Sequence, residues 1–137
     1  MKVYFACSII GGGDTSNYIT ILDAIKSAGG DVLSEIFVHD TIKFGGSPLP
    51  PDQIYARDVK MIEDADIVIA EVSNPSLGVG YELAYAEKLG RPILCLFNKD
   101  SAGRLSAMIT GNDYNEVVYF DKTTLASSIE AFLTKSN

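Results

Sequence analysis

Asp58 is an acidic residue on the apolar side of a predicted helix. In the segment 53–65, apolar residues such as Ile54 and Met61 recur at helical spacing, and Asp58 lies four residues after the first and three before the second. Residues three or four apart share a helix face, so this spacing directs Asp58 toward or beside the core. Aspartate is a poor helix former, and the adjacent Arg57 is expected to point elsewhere. The pattern therefore favours a functional carboxylate over an ordinary ion pair.

Glu82 has a similar setting in the segment 79–89. It lies three residues after Val79 and four before Ala86, at the border of the buried side. Its place in the predicted first turn also has a purely structural explanation, because acids are favoured at helix N-termini; spacing alone leaves both readings open. Buried acids are rare without partners, so two of them suggest a cleft with paired carboxylates.

The segment CSIIGGGD (7–14) could bind a ligand through its backbone. A strand that runs into Ser8 and three glycines brings N–H groups close to a phosphate or a sugar. The segment is neither the dinucleotide fingerprint G-x-G-x-x-G nor a P-loop, which requires a lysine. A simple glycine-rich turn explains it equally well.

The elements that must position these residues alternate regularly along the chain. Strands are predicted at 2–7, 31–38, 66–72, 91–98 and 116–120. Helices are predicted at 18–29, 53–65, 79–89 and 122–135, with a short helix within 102–111, a long loop at 39–52 and Asp52 as a candidate N-cap. This order predicts an α/β fold, a single-domain doubly wound (flavodoxin/Rossmann-like) five-stranded parallel sheet with helices on both faces, spanning residues 1–137. Ligands of such folds bind at the carboxyl ends of the strands.

Composition excludes several classes of function. The formal charge of −7 and the scattered basic residues argue against a nucleic acid polymer as partner. No apolar run is long enough for a membrane span. Cys7 and Cys95 lie inside apolar runs and predict buried thiols, with neither a disulfide nor a metal site, and a cytoplasmic location is expected.

Three stretches resemble a known family. VYFACSIIGGG near the N-terminus, ADIVIAEVSNPSLGVGYELAYA in the middle, and ILCLFN followed by LSAMITG look like the 2′-deoxynucleoside 5′-monophosphate N-hydrolases, within the nucleoside 2-deoxyribosyltransferase superfamily. The match runs in register from about residue 3 to residue 111. The resemblance implies cleavage of the N-glycosidic bond of a deoxynucleoside monophosphate into a free base and 2-deoxyribose 5-phosphate, without metal or cofactor.

The resemblance also implies roles for individual residues. Glu82 would be the nucleophile that attacks the anomeric carbon and forms a covalent deoxyribosyl intermediate. Asp58 would assist departure of the base and then activate water, and Tyr4 would orient the nucleophile. Glu82, beside a helix N-terminus, is expected to stay ionised, and Asp58, on a drier face near another acid, to hold the proton.

The implied substrate-binding positions and the implied assembly complete this expectation. A homodimer is implied, in which Ser106 and Met108 are lent across the interface to the partner's site. The binding positions are Cys7, Ser8, Ile9, Ile10, Gly11, Gly12, Gly13, Tyr18, His39, Ser76, Gly78, Gly80, Ser106 and Met108.

Two positions depart from the family pattern. Family members carry an arginine directed at the phosphate where this chain has Ile10, and a histidine where it has Ile36. His39 is the one histidine in the sequence and is a candidate substitute. Without the arginine, backbone N–H groups and serines would have to bind the phosphate, with less charge assistance.

Two other functions fit the same residues. A deoxyribosyltransferase would pass the sugar to a second base and accept unphosphorylated deoxynucleosides, as the absent arginine favours. A nucleotide-sensing module without catalysis would use Glu82 and Asp58 only as ligand contacts, since fold alone does not specify function.

Overall fold

The computed structural model describes residues 1–8 and 14–137. Its strands are β1 (Lys2–Ala6), β2 (Asp31–Val32), β3 (Ile67–Glu71), β4 (Ile93–Asn98) and β5 (Asn115–Phe120). Its helices are α1 (Thr15–Ser27), α2 (Glu35–Phe44), α3 (Pro51–Asp64), α4 (Leu77–Lys88), α5 (Ala107–Thr110) and α6 (Leu125–Ser136). No helix in this part of the chain has the length and apolar character needed to cross a bilayer.

The strands form one parallel sheet in the order β2-β1-β3-β4-β5. Side chains of a strand point alternately to the two faces of the sheet, which divides the core in two. One face packs against α1 and α6, and the other against α3 and α4. Every residue of β3 is buried, as expected for a central strand covered on both faces. The predicted doubly wound parallel fold is confirmed.

The prediction of a strand over 31–38 is wrong. Only Asp31 and Val32 pair with β1, and the chain then turns into α2, which occupies part of the predicted loop 39–52. The segment's apolar residues suit either element, but in the helix Val38 and Thr41, three apart, form its buried side. Ile36, on another side, is 68% exposed.

Ser34 explains why β2 can end so early. Its hydroxyl donates to the carbonyl of Phe5 at 2.9 Å and accepts from the amide of Phe5 at 3.0 Å. Those two backbone groups are buried beside the sheet edge and would otherwise need a longer partner strand. The serine side chain therefore replaces one residue of strand pairing on β1.

Ser34→Ala is expected to lower the free energy of unfolding by about 3 kcal/mol, because it leaves a buried N–H and a buried carbonyl of Phe5 without partners. Urea denaturation measures the change. Ser27→Ala, at the exposed end of α1, is the matched control and should change stability by less than about 0.5 kcal/mol. Equal effects of the two substitutions would contradict the proposed role of the Ser34 hydroxyl.

The beginnings of α3 and α4 also differ from prediction. Pro50, not Asp52, is the N-cap of α3, and Pro51 occupies the first helical position, where a missing N–H costs nothing. Helix α4 begins at Leu77, two residues earlier than predicted, because the Ser76 hydroxyl caps it by accepting from the Val79 amide at 3.3 Å.

Candidate active site

Strand β1 carries Tyr4 to the sheet face that packs against α3 and α4. Val3 and Phe5 point to the opposite face, so alternation along the strand decides the direction of the Tyr4 ring. Tyr4 is only 4% exposed, and its hydroxyl donates to Glu82 Oε1 at 3.0 Å. The strand and α4 thus bring together two residues that are 78 positions apart in sequence.

Glu82 is the sixth residue of α4, so it lies in the second turn. The prediction that it occupies the first turn is wrong, because the Ser76 cap moves the helix start to Leu77. The effect of the helix N-terminus falls off within the first turn. The hydrogen bond from Tyr4, and not the helix dipole, therefore orients the Glu82 carboxylate.

The pKa of Glu82 is raised to about 7, mainly by burial. The charge of Asp58 also contributes to the increase, whereas the hydrogen bond from Tyr4 and the charge of Arg57 oppose it. The expectation that Glu82 stays ionised because of a helix N-terminus is therefore wrong: burial outweighs the groups that favour its carboxylate. Burial, followed by the nearby Glu82, raises the pKa of Tyr4, so its hydroxyl remains a neutral hydrogen-bond donor.

Asp58 lies on α3 and pairs with its neighbour. Arg57 Nε donates to Asp58 Oδ1 at 2.8 Å, and the two side chains are only 18% and 20% exposed. The expectation that the adjacent Arg57 points elsewhere is wrong, because its long side chain reaches back to the Asp58 carboxylate. The guanidinium carbon also lies 4.0 Å from the ring centroid of Phe37 on α2.

Four polar residues form one cluster, here called the acid cluster: Tyr4, Arg57, Asp58 and Glu82. The charges of both Asp58 and Arg57 act on the pKa of Tyr4 and on that of Glu82. Such coupling requires short distances through the protein. Tyr4 and Glu82 are therefore coupled electrostatically to Asp58 and to Arg57, which pairs with Asp58 and stacks on Phe37. Sequence reasoning missed Phe37 because its segment was read as a strand, and set Arg57 aside because of its adjacency to Asp58.

The described end of the first loop is held by hydrogen bonds. Ser8 is buried; its hydroxyl accepts from Asn74 Nδ2 at 3.2 Å, and its carbonyl accepts from the Tyr18 hydroxyl at 2.8 Å. Cys7 is buried beside it. The remaining predicted residues of this loop, Ile9, Ile10, Gly11, Gly12 and Gly13, lie outside the described residues.

The other predicted binding residues lie in two further places. Ser76, Gly80, Ser106 and Met108 line an open cavity of about 740 Å³ beside α4 and α5, whereas Tyr4, Asp58 and Glu82 do not line it. Because the cavity lacks the acids, we take the acid cluster as the candidate site of chemistry. Gly78 is exposed in the first turn of α4. His39 is half-exposed on α2, 3.7 Å from Glu35.

The acid cluster can perform acid–base and nucleophilic chemistry with protein groups alone. It contains two carboxyls, a neutral hydroxyl donor and a cation. Within residues 1–8 and 14–137 no group of three or more His, Cys, Asp or Glu side chains has an arrangement that could hold a metal ion.

The sequence of the chain matches the family model described as nucleoside 2-deoxyribosyltransferase over residues 3–118. This range contains all four polar members of the acid cluster. The chain belongs to the nucleoside 2-deoxyribosyltransferase family. Among solved structures, a 2-deoxyribosyltransferase from Bacillus psychrosaccharolyticus has the same fold as this family member, with a TM-score of 0.68 at 17% identity over 95% of this chain and 90% of that one.

Two curated relatives of this family member are more similar in sequence. The "Putative 2'-deoxynucleoside 5'-phosphate N-hydrolase 1" of Syntrophotalea carbinolica is 38% identical over 121 residues, 88% of this chain and 85% of the relative. The 5-hydroxymethyl-dUMP N-hydrolase of Rattus norvegicus is 42% identical over 112 residues, 80% of this chain and 69% of the relative.

Proposed function

We propose that this protein is an N-glycosidase that hydrolyses 2′-deoxynucleoside 5′-monophosphates to a free base and 2-deoxyribose 5-phosphate. The observation that carries the proposal is the partly buried Tyr4–Glu82 hydrogen bond, with Asp58 in the same electrostatic cluster. The names of the relatives, N-hydrolases acting on deoxynucleoside phosphates, support the same reaction. Residues 1–137 would form one catalytic domain.

The first step uses the two acids in different roles. The ionised Glu82 carboxylate attacks the anomeric carbon of the deoxyribose, and the bond from this carbon to the base nitrogen breaks with its electron pair going to the base. Protonated Asp58 delivers its proton to the departing base. The product is a glutamyl-deoxyribosyl ester, as in retaining glycosidases.

The second step releases the sugar. Asp58, now a carboxylate, takes a proton from a water molecule whose oxygen attacks the anomeric carbon, and the bond to Glu82 breaks. Asp58 is protonated again and Glu82 is again a carboxylate, so protons and charges balance. Through both steps the Tyr4 hydroxyl holds Glu82 in the direction of attack.

Substrate binding and assembly are part of the proposal. The predicted positions Ser8, Ser76 and the glycine-rich loop would bind the sugar phosphate, although Ile10 replaces the family arginine. A homodimer would place Ser106 and Met108 in the partner's site; Met108 is 83% exposed in the single chain, which supports such a contact. A cytoplasmic location is supported by the free, buried thiols of Cys7 and Cys95.

Incubation with deoxyguanosine monophosphate, with and without added adenine, tests the reaction. Hydrolysis predicts free guanine and 2-deoxyribose 5-phosphate without any second base. A new adenine nucleotide that forms only when adenine is present would instead show a transferase, and turnover of deoxyguanosine equal to that of its monophosphate would show that the phosphate is not recognised. Absence of any base release from a panel of the four monophosphates would contradict the proposal.

A further inference from the structure

We propose that Arg57 is a positioning residue that clamps one oxygen of Asp58 and thereby commits the other oxygen to proton transfer. This inference rests on the proposed function, because it assigns a role within that reaction. Neither the family match nor the named relatives assign any role to Arg57.

Two contacts hold the Arg57 guanidinium in place. The guanidinium lies against the face of Phe37, with its central carbon 4.0 Å from the ring centroid, which is a cation–π arrangement. Its Nε donates to Asp58 Oδ1 at 2.8 Å. The aromatic face restrains the plane of the guanidinium, and the hydrogen bond then restrains the Asp58 carboxyl. Because the two charged side chains are about four-fifths covered, solvent competes little for this pair.

The clamp makes the two oxygens of Asp58 unequal. Oδ1 already accepts a hydrogen bond from a cation and is therefore the less basic oxygen. The proton that Asp58 gives to the base, and later takes from water, must accordingly reside on Oδ2. No proton is exchanged with Arg57 itself.

The charge of Arg57 also reaches Glu82. Tyr4 from β1 acts on the pKa of Glu82 through its hydrogen bond, and Asp58 and Arg57 from α3 act through their charges. Helix α2 contributes only the uncharged Phe37 ring, beside Arg57. Burial raises the pKa of the Cys7 thiol, which follows β1, and the charges of Glu82 and Glu71 contribute to the increase. Within this cluster of described residues Arg57 is the cation that favours ionised Glu82, so its removal must raise the pH at which Glu82 becomes a carboxylate.

The experiment compares Arg57→Met with Arg57→Lys. In Arg57→Met, kcat is expected to fall at least about tenfold with KM changed less than about threefold, because the acid is misdirected rather than the substrate lost. The acidic limb of the pH profile of kcat/KM is expected to move to higher pH. Arg57→Lys keeps a charge but loses the planar donor, so the limb should stay close to that of the parent while kcat remains low.

Two further variants separate the clamp from general damage to the helix. Phe37→Leu keeps an apolar side chain but removes the stacking face, and is expected to lower kcat less than Arg57→Met. Lys60→Met removes an exposed cation from the same helix and should leave both kcat and the acidic limb unchanged. Thermal unfolding shows whether each variant is folded. If Arg57→Met does not fold, the loss of kcat in Arg57→Lys and in Phe37→Leu tests the proposal instead.

A second readout does not depend on turnover. Titration of the Glu82 carboxyl by carbon-13 NMR in the parent and in Arg57→Met should show a higher midpoint in the variant. If the parent enzyme releases no base, the proposed function is wrong. The titration still measures whether the charge of Arg57 lowers the pKa of Glu82. Unchanged kcat in Arg57→Met, or an unchanged Glu82 midpoint, would overturn the proposal.

Discussion

Glu82→Gln is expected to reduce turnover of deoxynucleoside monophosphates by about 10³-fold or more. Glutamine nearly preserves the size of the side chain and can still accept a hydrogen bond from Tyr4, but its amide oxygen cannot form the proposed ester with the sugar. Single-turnover release of the base measures the loss. In the parent, kcat/KM should rise with pH through about 7, because Glu82 attacks only when ionised and its pKa lies at about 7.

Glu82→Gln lowers turnover but is expected to raise the free energy of unfolding. The pKa of Glu82 is raised from 4.5 when folded, so the folded parent binds more protons than the unfolded chain between these values and loses stability as pH rises through this window. At pH 8 this cost is up to roughly 3 kcal/mol in the parent, and Glu82→Gln should remove most of it. Glu130→Gln, on the exposed side of α6, is the matched control. Turnover near the parent level in Glu82→Gln would exclude Glu82 as nucleophile.

Asp58→Asn is expected to lower kcat for natural substrates by about 10²–10⁴-fold, because the base then departs without a proton. A deoxyribose 5-phosphate carrying p-nitrophenol needs no such proton, so its first step should remain fast in the variant. The second step still lacks its base, and the ester on Glu82 should accumulate. Stopped-flow absorbance should therefore show a burst of nitrophenol close to one equivalent of enzyme, followed by slow turnover.

The burst experiment has its own control on the same helix. Asp64→Asn removes an exposed acid that pairs with Lys60, and it should retain the parent kcat and show no burst. A slow first step with the activated substrate in Asp58→Asn would mean that Asp58 does more than transfer protons. Equal losses for natural and activated substrates would contradict the assignment of Asp58 as the acid.

The sheet could be predicted from sequence because the central strands contain continuous apolar runs, such as residues 67–70 of β3, where every residue is buried. The edge of the sheet could not. Residues 31–38 are short and mixed in character, and a run of this kind fits a strand or a helix equally well. The outcome depends on the Ser34 hydroxyl reaching the backbone of Phe5, a tertiary contact 29 residues distant in sequence.

The acid cluster was also predictable only in part, because some of its features depend on tertiary contacts. Helical spacing correctly directed Asp58 and Glu82 inward, because that inference needs only the local period. The environment of each acid depended on details beyond spacing. Gly78 was assigned to the preceding loop, yet the cap at Ser76 starts the helix before it and removes Glu82 from the first turn. The pairing of Arg57 required the ring of Phe37 from a helix that sequence had not predicted.

The brevity of β2 has an evolutionary corollary. Three more extended residues would carry the chain about 10 Å further before it could turn, and Phe37 could then no longer lie under Arg57. Insertions between Val32 and Glu35 should therefore be excluded in any descendant that keeps this arginine, although loops elsewhere on the surface would tolerate them. Length variation at this sheet edge and the identity of residue 57 are thus expected to change together.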